Sequence, residues 1–265
     1  LFGLEGRETL PRALARREER LARLRACQAK LERQAAAAAA RQQAKIDARA
    51  AEEQASGKRK RGRKPKPVDA SVDPDRVANP TDPDSGIMKT RQGWVQGYNA
   101  QAVVTPQQII LAAEVTTDAN DVQQLKPMLD LAQAVVEVVM GEDAVLGAAA
   151  ADAGYWSDDN VASQTADCEL FIATRQDRKQ RAELRDATSP RGRIPKGLTP
   201  RQRMQRKLRT KRGGAIYRQR GSSVEPVFGQ MKERQGAGRF SMRGLQACRG
   251  EWHLHAAVHN LRKLH

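Results

Sequence analysis

The spacing of leucines in the first 57 residues predicts one long helix. They recur at intervals of three, four or seven residues, at Leu10, Leu14, Leu21, Leu24 and Leu31. The stripe fades into an alanine run over residues 35–40, which favours helix but buries little apolar surface. Thr9 is placed to cap this helix and Gly57 to end it. Residues 1–57 are therefore predicted to form a long helical arm, either a spacer or a coiled-coil dimerisation helix.

After residue 93 the helical spacing gives way to β-rich runs. Residues 97–105 and 109–117 are two such runs, and the short Pro-Gln-Gln segment between them predicts a β-hairpin. Residues 120–139 carry apolar side chains on one face and predict an amphipathic helix. The chain therefore passes from a hairpin into a helix, as in the opening of an α/β domain.

Two further strands are predicted downstream. Residues 144–151 are an uninterrupted run of mostly small apolar side chains, typical of a strand that is buried on both faces. Residues 169–174 predict another strand, and a short helix is expected between the two. A helix that begins near Ile216 or Val224 and another over residues 245–264 complete the pattern. The predicted fold class is α/β, a sheet covered by helices.

The distribution of charge indicates an anionic partner. The 265 residues include 47 Lys and Arg against 31 Asp and Glu, a formal charge of +16. Residues 58–67 hold seven basic and no acidic side chains, residues 175–220 hold 17 and 3, and residues 68–174 hold 4 and 17. Basic segments on both sides of an acidic centre suit an enzyme that binds phosphates and also holds a divalent metal. No apolar run is long enough to span a membrane, and three distant cysteines exclude a disulfide framework.

The first basic segment, residues 58–67, reads KRKRGRKPKP and opens a Pro/Asp-rich linker predicted over residues 58–92. Arg61 and Arg63 flank a glycine, and this core resembles the AT-hook peptide that lies in A·T-rich minor grooves. The alternative is a solvated tether that contacts phosphates without sequence preference. Both interpretations predict DNA beside the linker.

The second basic segment is predicted as an insertion over residues 175–215. Its candidate phosphate contacts are Arg203, Arg206 and Lys207. They lie on a helix predicted to begin at Thr199-Pro200, and because this helix is polar on every face we expect it to stay out of the core. The alternative interpretation is a solvated loop.

Two carboxylates stand out as candidate metal ligands. Asp152 directly follows the predicted buried strand, and ligands of open α/β sheets bind at that edge. Glu225 and Lys232 are seven residues apart, two helical turns, so both face the same side of a helix. An acid and an amine on one face beside a basic surface suit metal and phosphate binding.

Other side chains offer weaker candidates. His255, His259 and Glu251 share one face of the last helix and form a possible zinc face, although the neighbouring apolar residues favour a packed structural helix. Trp94 and Tyr98 are possible stacking partners for a flipped base, with the alternative that they are core residues at a strand edge.

The literal sequence around the two carboxylates carries a family resemblance. The run ADAGY at residues 151–155 resembles the second-aspartate motif of the DDE transposases of bacterial insertion sequences. The segment YRQRGSSVEPVFGQMK at residues 217–232 is similar to the Tyr-Arg-Glu-Lys signature around their catalytic glutamate. Tyr217 and Arg220 keep the spacing of that signature, as do Glu225 and Lys232. Arg220 and Glu225 are one residue further apart than is usual.

The resemblance implies an RNase H-like mixed sheet flanked by helices over residues 93–265, and cut-and-paste transposition. By the motifs, Asp152 is the second catalytic, metal-binding aspartate and Glu225 the closing glutamate of a site for two Mg²⁺ or Mn²⁺ ions. Tyr217, Arg220 and Lys232 are implied to contact phosphates of the transposon ends. The expected partner is double-stranded DNA, both transposon end and target. The intact enzyme is expected to be a homodimer in the bacterial cytoplasm, at the nucleoid.

The first aspartate of the family has no counterpart segment before the hairpin. Asp82 or Asp84 are possible substitutes, but their Asp-Pro-Asp-Ser context is first a turn sequence. Because no such segment precedes the hairpin, we expect the first strand, with its aspartate, to be encoded upstream of Leu1. The alternative to an enzyme is a non-catalytic, DNA-binding remnant of a transposase.

Overall fold

The structure of the chain, a computed structural model, describes residues 12–90 and 93–265, with the side chains of the first helix described from residue 16 onward. The predicted cap Thr9 and Leu10 lie outside the described residues, as does the side chain of Leu14. The chain divides into two compact units, Leu1–Gly86 and Ile87–His265.

The first unit is dominated by the predicted long helix, α1, which spans Arg12–Ser56. Leu21 and Leu24 of the leucine stripe are 47% and 45% exposed, whereas Cys27 and Ala39 further along the helix are buried. The helix is therefore open to solvent at Leu21 and Leu24 and covered at Cys27 and Ala39. Dimerisation through a coiled coil stays a prediction.

The segment after α1 folds back along the helix and does not extend freely into solvent. Arg49 donates from Nη1 to the carbonyl of Arg63 at 2.9 Å, and Lys30 donates from Nζ to the carbonyl of Ser85 at 2.6 Å. The earlier residue of the segment, Arg63, bonds near the end of α1, and the later residue, Ser85, bonds nearer its beginning. The segment therefore runs antiparallel to α1. The side chains of Arg61 and Arg63 are exposed along it.

The second unit alternates strands and helices. Its strands, with the first beginning at the unit boundary, are β1 (Gly86–Thr90), β2 (Gly93–Gly97), β3 (Asn99–Val104), β4 (Ile110–Thr116), β5 (Gly147–Ala151) and β6 (Cys168–Ile172). Its helices are α2 (Leu125–Met140), α3 (Asp158–Ala162), α4 (Asp177–Asp186), α5 (Pro200–Leu208), α6 (Lys211–Gln235) and α7 (Leu245–Leu264). The predicted hairpin, the helix after it, the two later strands and the last helix are thereby confirmed as elements.

The strands pair as three separate two-stranded ladders within the described residues: β1 with β2, β3 with β4, and β5 with β6. The β3/β4 hairpin is antiparallel and has a bulge, because Val103 pairs with Ala112 while Val104 pairs with Ile110. The β5/β6 pair is parallel. The structure is thus mixed α/β, while the continuous RNase H-like sheet stays a prediction.

Helix α6 packs against both larger ladders. Its later half supplies Val227 and Met231 to a cluster with β4 residues and Trp252 of α7. Its earlier half supplies Tyr217 to a second cluster around Phe171 of β6. Among the described residues these two ladders share no strand pairing and are joined through helices. Helix α2 joins them as well as α6, because its Met128 packs with Ala112 of β4 while its Leu125 packs with Ala151 of β5.

Two burial predictions were wrong. The alanine strand β5 was expected to be buried on both faces, but only Ala151 is buried, because a cleft lies alongside the strand. Helix α5 was expected to stay out of the core, but Met204 and Leu208 are buried against Phe171. Two apolar residues one turn apart are enough to pack a helix against the core, even when the rest of its side chains are mostly polar.

Helix α7 is attached to the β3/β4 hairpin by polar side chains that bond the hairpin backbone. Asn260 accepts from the amide of Ile110 and donates to its carbonyl, both at 2.8 Å, next to the bulge. Trp252 donates from Nε1 to the carbonyl of Gln101 at 2.9 Å. No helix in the described part of the chain is both long and apolar enough to cross a membrane.

Replacing Asn260 by alanine should lower the free energy of unfolding by about 1–3 kcal/mol, because both polar groups of Ile110 lose their partner. Urea unfolding followed by circular dichroism measures this change. The matched control is Lys263→Ala, an exposed position on the same helix, for which we expect a change within about 0.5 kcal/mol. Equal stability of the two variants would contradict the role given to Asn260.

Candidate functional site

Asp152 lies where β5 ends, as the sequence predicts, and lines a cleft of about 570 Å³. Its backbone is extended, and its Oδ1 accepts from the amide of Gly154 at 2.8 Å, which caps the short 3₁₀ turn Ala153–Tyr155. The carboxylate is therefore held in a fixed orientation by its own turn.

A second carboxylate, Asp121, stands close to Asp152. A Cβ placed on Gly154 would lie 3.0 Å from Asp121 Oδ2 and 3.0 Å from Asp152 Oδ1, so these two oxygens are at most 6.0 Å apart. A side chain on this glycine of the ADAGY run would therefore crowd both acids, and the carboxylates would have to shift by a few tenths of an ångström.

Asp121 belongs to a network of polar side chains from the hairpin. Its Oδ1 accepts from Asn99 at 2.6 Å and from Gln101 at 2.8 Å. The hydroxyl of Tyr155 donates to Gln101 Oε1. Burial, with Asp121 and Asp152 nearby, raises the pKa of Tyr155, which therefore stays a neutral donor. The polar positions Asn99 and Gln101 alternate with alanines along β3, and this alternation was the available signal for residues that the sequence analysis missed.

Tyr217 and Arg220, both predicted to contact DNA phosphates, bond to Asp177 at the start of α4. Tyr217 donates from its hydroxyl at 2.9 Å and Arg220 from Nη2 at 2.6 Å. Burial alone would raise the pKa of Asp177, but hydrogen bonds from Arg220 and Tyr217 outweigh it and lower the pKa. Tyr217 is almost fully buried, and the Arg220 side chain is 11% exposed. Their phosphate role stays a prediction.

Glu225 points to a different neighbour from Asp152. Its carboxylate, 55% exposed, forms an ion pair with Arg181 of α4, and the residue does not line the cleft that Asp152 lines. Lys232 is exposed two turns further along α6. The structure therefore places Asp152 and Arg220 on one cleft and leaves Glu225 outside it.

The acidic side chains as arranged do not fit a two-metal site. Within residues 12–90 and 93–265 there is no group of three or more His, Cys, Asp or Glu side chains placed to hold a metal ion. Asp82 and Asp84 lie in the first unit, where the carbonyl of Asp82 accepts from the amide of Ser85 at 3.1 Å, which confirms the predicted turn.

The predicted DNA contacts of α5 differ in their surroundings. Arg203 is exposed, whereas Arg206 donates from Nη2 to the carbonyls of Arg191 and Gly192 at 3.0 and 2.9 Å. Lys207 donates to the carbonyl of Leu170 at 2.8 Å, and it lies over the ring of Phe171. Of these three side chains, Arg203 is therefore the exposed one, whereas Arg206 and Lys207 bond backbone carbonyls of the protein.

The other candidates named from the sequence, the histidines of α7 and the aromatic residues Trp94 and Tyr98, are either packed in the structure or exposed on its surface. His259 is buried and its Nε2 bonds the carbonyl of Gln108 at 2.9 Å, which favours the packed-helix interpretation over a zinc face. Tyr98 packs edge-on to Phe240 beside the core, while Trp94 is 70% exposed. Trp94 is therefore not a core residue.

Comparison with known proteins adds one finding. Residues 193–265 match the family model of a transposase DDE domain, a match that covers α5, α6 and α7 and includes Glu225. No curated protein and no solved structure matches the chain. The match spans 73 of the 265 residues, agrees with the signature segment on α6, and supports a DDE transposase.

Proposed function

We propose that this chain is the transposase of a bacterial insertion sequence, which binds double-stranded DNA at transposon ends and target and cleaves and joins its strands. The observation that carries the proposal is the DDE-domain match over α6, the helix that bears Glu225. The basic surface supports it, since residues 175–220 hold 17 basic and 3 acidic side chains. The family generally depends on a divalent metal.

We propose Asp152 and Glu225 as two of the catalytic carboxylates, with Mg²⁺ or Mn²⁺ as the ion. Hard divalent cations take oxygen ligands, which both residues supply. Asp152 lies at the end of a strand and Glu225 on the helix that packs beside that strand. The third carboxylate is proposed to come from a further strand.

The cleft supports the proposal of a further strand. It is lined on one side by all of β3 and on the other by Ala148–Ala151 of β5, with side chains of α2 and α6 around them. Each of these strands has one partner only among the described residues, so each has an edge that no strand covers. Strand edges carry backbone donors and acceptors that need partners when buried. One strand between β3 and β5 would join both ladders and end beside Asp152.

The second candidate function is a non-catalytic DNA-binding remnant. The observation that favours it is the lack of a three-membered acidic group among the described residues. Translation of the DNA upstream of the Leu1 codon separates the two candidates. An in-frame strand with an aspartate supports the enzyme, and a stop codon supports the remnant.

If the strand is encoded upstream, hydrogen exchange detects it directly. In the extended protein, amides at the uncovered edges of β3 and β5 should exchange at least tenfold more slowly than in the 265-residue chain, since they gain a hydrogen-bonding strand. Amides in the middle of α7, already bonded within their helix, are the internal control. Unchanged exchange in β3 and β5 would reject this placement of the strand.

In that extended protein, Asp152→Ala and Glu225→Ala should each abolish cleavage of transposon-end DNA in Mg²⁺. Gel-shift affinity should stay within about threefold, because groups that serve the transition state contribute little to ground-state binding. The matched controls are the exposed acids Asp158→Ala and Glu233→Ala, which should keep cleavage. Cleavage by either test variant would remove that residue from the site.

DNA binding by the 265-residue chain should depend on exposed cations. Arg203→Ala should lower the slope of log affinity against log salt by about 0.9 and leave thermal stability unchanged, since the side chain is exposed. Deleting residues 58–66 should lower the slope by several times this amount, and it should do so for DNA probes of any sequence. Loss confined to A·T-rich probes would instead favour minor-groove binding by Arg61 and Arg63. Fluorescence anisotropy at four salt concentrations measures each slope, and an unchanged slope in both proteins would contradict these assignments.

A further inference from the structure

The basic segment of residues 58–67 is bonded to α1 through its backbone. We propose that α1 holds this segment as a preformed strip of cations for the phosphates of duplex DNA, and that Arg49 is the positioning residue that fixes it. This inference rests on the DNA-binding part of the proposed function, because it takes duplex DNA to be the partner. It concerns the first unit alone, which lies outside the family match.

One guanidinium binds two carbonyls of the segment. Arg49 donates from Nη2 to the carbonyl of Lys60 at 2.6 Å and from Nη1 to the carbonyl of Arg63 at 2.9 Å. Its Nε donates to Glu53 Oε1 at 3.0 Å, and the same oxygen accepts from the amide of Lys60 at 3.0 Å. The hydrogen bond from the Lys60 amide, with that from Arg49, lowers the pKa of Glu53, so this acceptor stays ionised. The Arg49 side chain is only 17% exposed, because its donors face the backbone of the segment.

Gly62 provides the bend between the two bonded carbonyls. Its φ is 104°, a conformation that L side chains rarely adopt, and a Cβ there would meet nothing within 4 Å. Glycine is therefore favoured at this position by its backbone conformation and not by crowding. The bend lies between Lys60 and Arg63, whose carbonyls reach the same guanidinium.

After the bend the segment is extended along α1. Gln42 donates from Nε2 to the carbonyl of Lys66 at 2.6 Å, three residues after the carbonyl of Arg63 that Arg49 binds. Gln42 and Arg49 are two helical turns apart, about 10.5 Å along the axis. Three residues of an extended polyproline-like chain span about 9 Å, so the two lengths agree. Pro65 favours this conformation, and it has no amide that would need a partner.

The side chains of the segment are left open to solvent, because α1 bonds its carbonyls. All seven Lys and Arg side chains between residues 58 and 66 are exposed. Within the described part of the chain, Lys60 is the one of the seven that pairs with a carboxylate, that of Glu52. An extended chain advances about 3.1 Å per residue, and one strand of duplex DNA carries a phosphate about every 3.4 Å along its axis. The strip therefore matches a row of phosphates in both charge and spacing.

Fixing the segment before it binds lowers the conformational entropy that is lost on binding. Releasing it from α1 should therefore weaken DNA binding. The number of phosphates contacted should stay the same, and with it the slope of log affinity against log salt. Loss of affinity at constant slope is thus the result that distinguishes a lost anchor from a lost cation.

The test is fluorescence anisotropy of the 265-residue chain with duplex probes at four salt concentrations. Arg49→Lys keeps the charge, but an ammonium cannot reproduce the fork of the guanidinium that binds both carbonyls. Gly62→Ala also keeps the charge and puts an alanine at a positive φ. Each should weaken binding about three- to tenfold at unchanged slope, on A·T-rich and G·C-rich probes alike. The matched control is Arg41→Lys, an exposed arginine of the same helix, which should bind as the wild type does.

Trypsin reports the position of the segment without DNA, since it cleaves after Lys and Arg. Cleavage between residues 58 and 66, located by mass spectrometry of the fragments, should be about fivefold faster in Arg49→Lys and Gly62→Ala than in the wild type. Arg41→Lys should be cleaved at the wild-type rate. Thermal melting checks that each variant is folded.

The outcomes separate this inference from the proposed function. If the wild-type chain binds no duplex DNA, the proposed function fails and this inference fails with it. If the wild type binds DNA but Arg49→Lys and Gly62→Ala are cleaved and bind as it does, only the role of Arg49 is overturned. Faster cleavage with unchanged affinity, or a loss of affinity with a lower slope, would overturn the preformed strip. A loss confined to A·T-rich probes would overturn phosphates as its partner.

Discussion

The second unit depends on helix α6 being buried against two ladders at once. Val227 and Met231 complete the cluster on the β3/β4 side, and Tyr217 completes the cluster on the β5/β6 side. Burying side chains of this size contributes on the order of 1.5–3 kcal/mol each. Since no strand pairing joins the two ladders in the described part of the chain, this apolar contact, together with that of α2, holds them side by side.

The helix needs outside help to stay continuous. Pro226 lies inside α6 and lacks the amide that would bond the carbonyl of Ser222. Gln108, in the turn of the β3/β4 hairpin, donates from Nε2 to that carbonyl at 3.1 Å. Gln108 has a positive φ of 67°, and its own carbonyl bonds His259 of α7. One turn residue thus connects the hairpin to both helices that pack on it, next to the proposed catalytic Glu225.

Asp152 and Glu225, the two proposed catalytic carboxylates, are held by different neighbours and therefore do not line the same cleft. Asp152 is oriented by its own 3₁₀ turn toward the cleft, together with Asp121. Glu225 is drawn to Arg181, whose position is fixed by Asp177. The cleft between β3 and β5 and the pairing of Glu225 are therefore two independent features of the site.

Local pattern alone determined much of this fold. The period-two runs predict β3 and β4, the apolar face predicts α2, and the last helix is predicted with the bounds 245–264 that the structure has. The segment around Glu225 resembles a transposase signature in its residue types and spacing, and it lies within residues 193–265, which match the transposase DDE domain. Burial was less predictable. Met204 is buried in the core although nearly every other residue of α5 is polar. The sequence pattern of a helix cannot show which other element packs against it.

Only the tertiary structure decided which charged groups meet. Asp177, Arg181 and Asp121 carry no distinctive sequence context, yet Asp177 holds Tyr217 and Arg220. Tyr217 and Arg220 are 40 and 43 residues from Asp177 in sequence, so no local spacing encodes these contacts. The physical reason is that helix and strand periodicity constrain neighbours within a turn or a register. Side-chain pairing between elements depends instead on how those elements pack, which the pattern of a single chain does not contain.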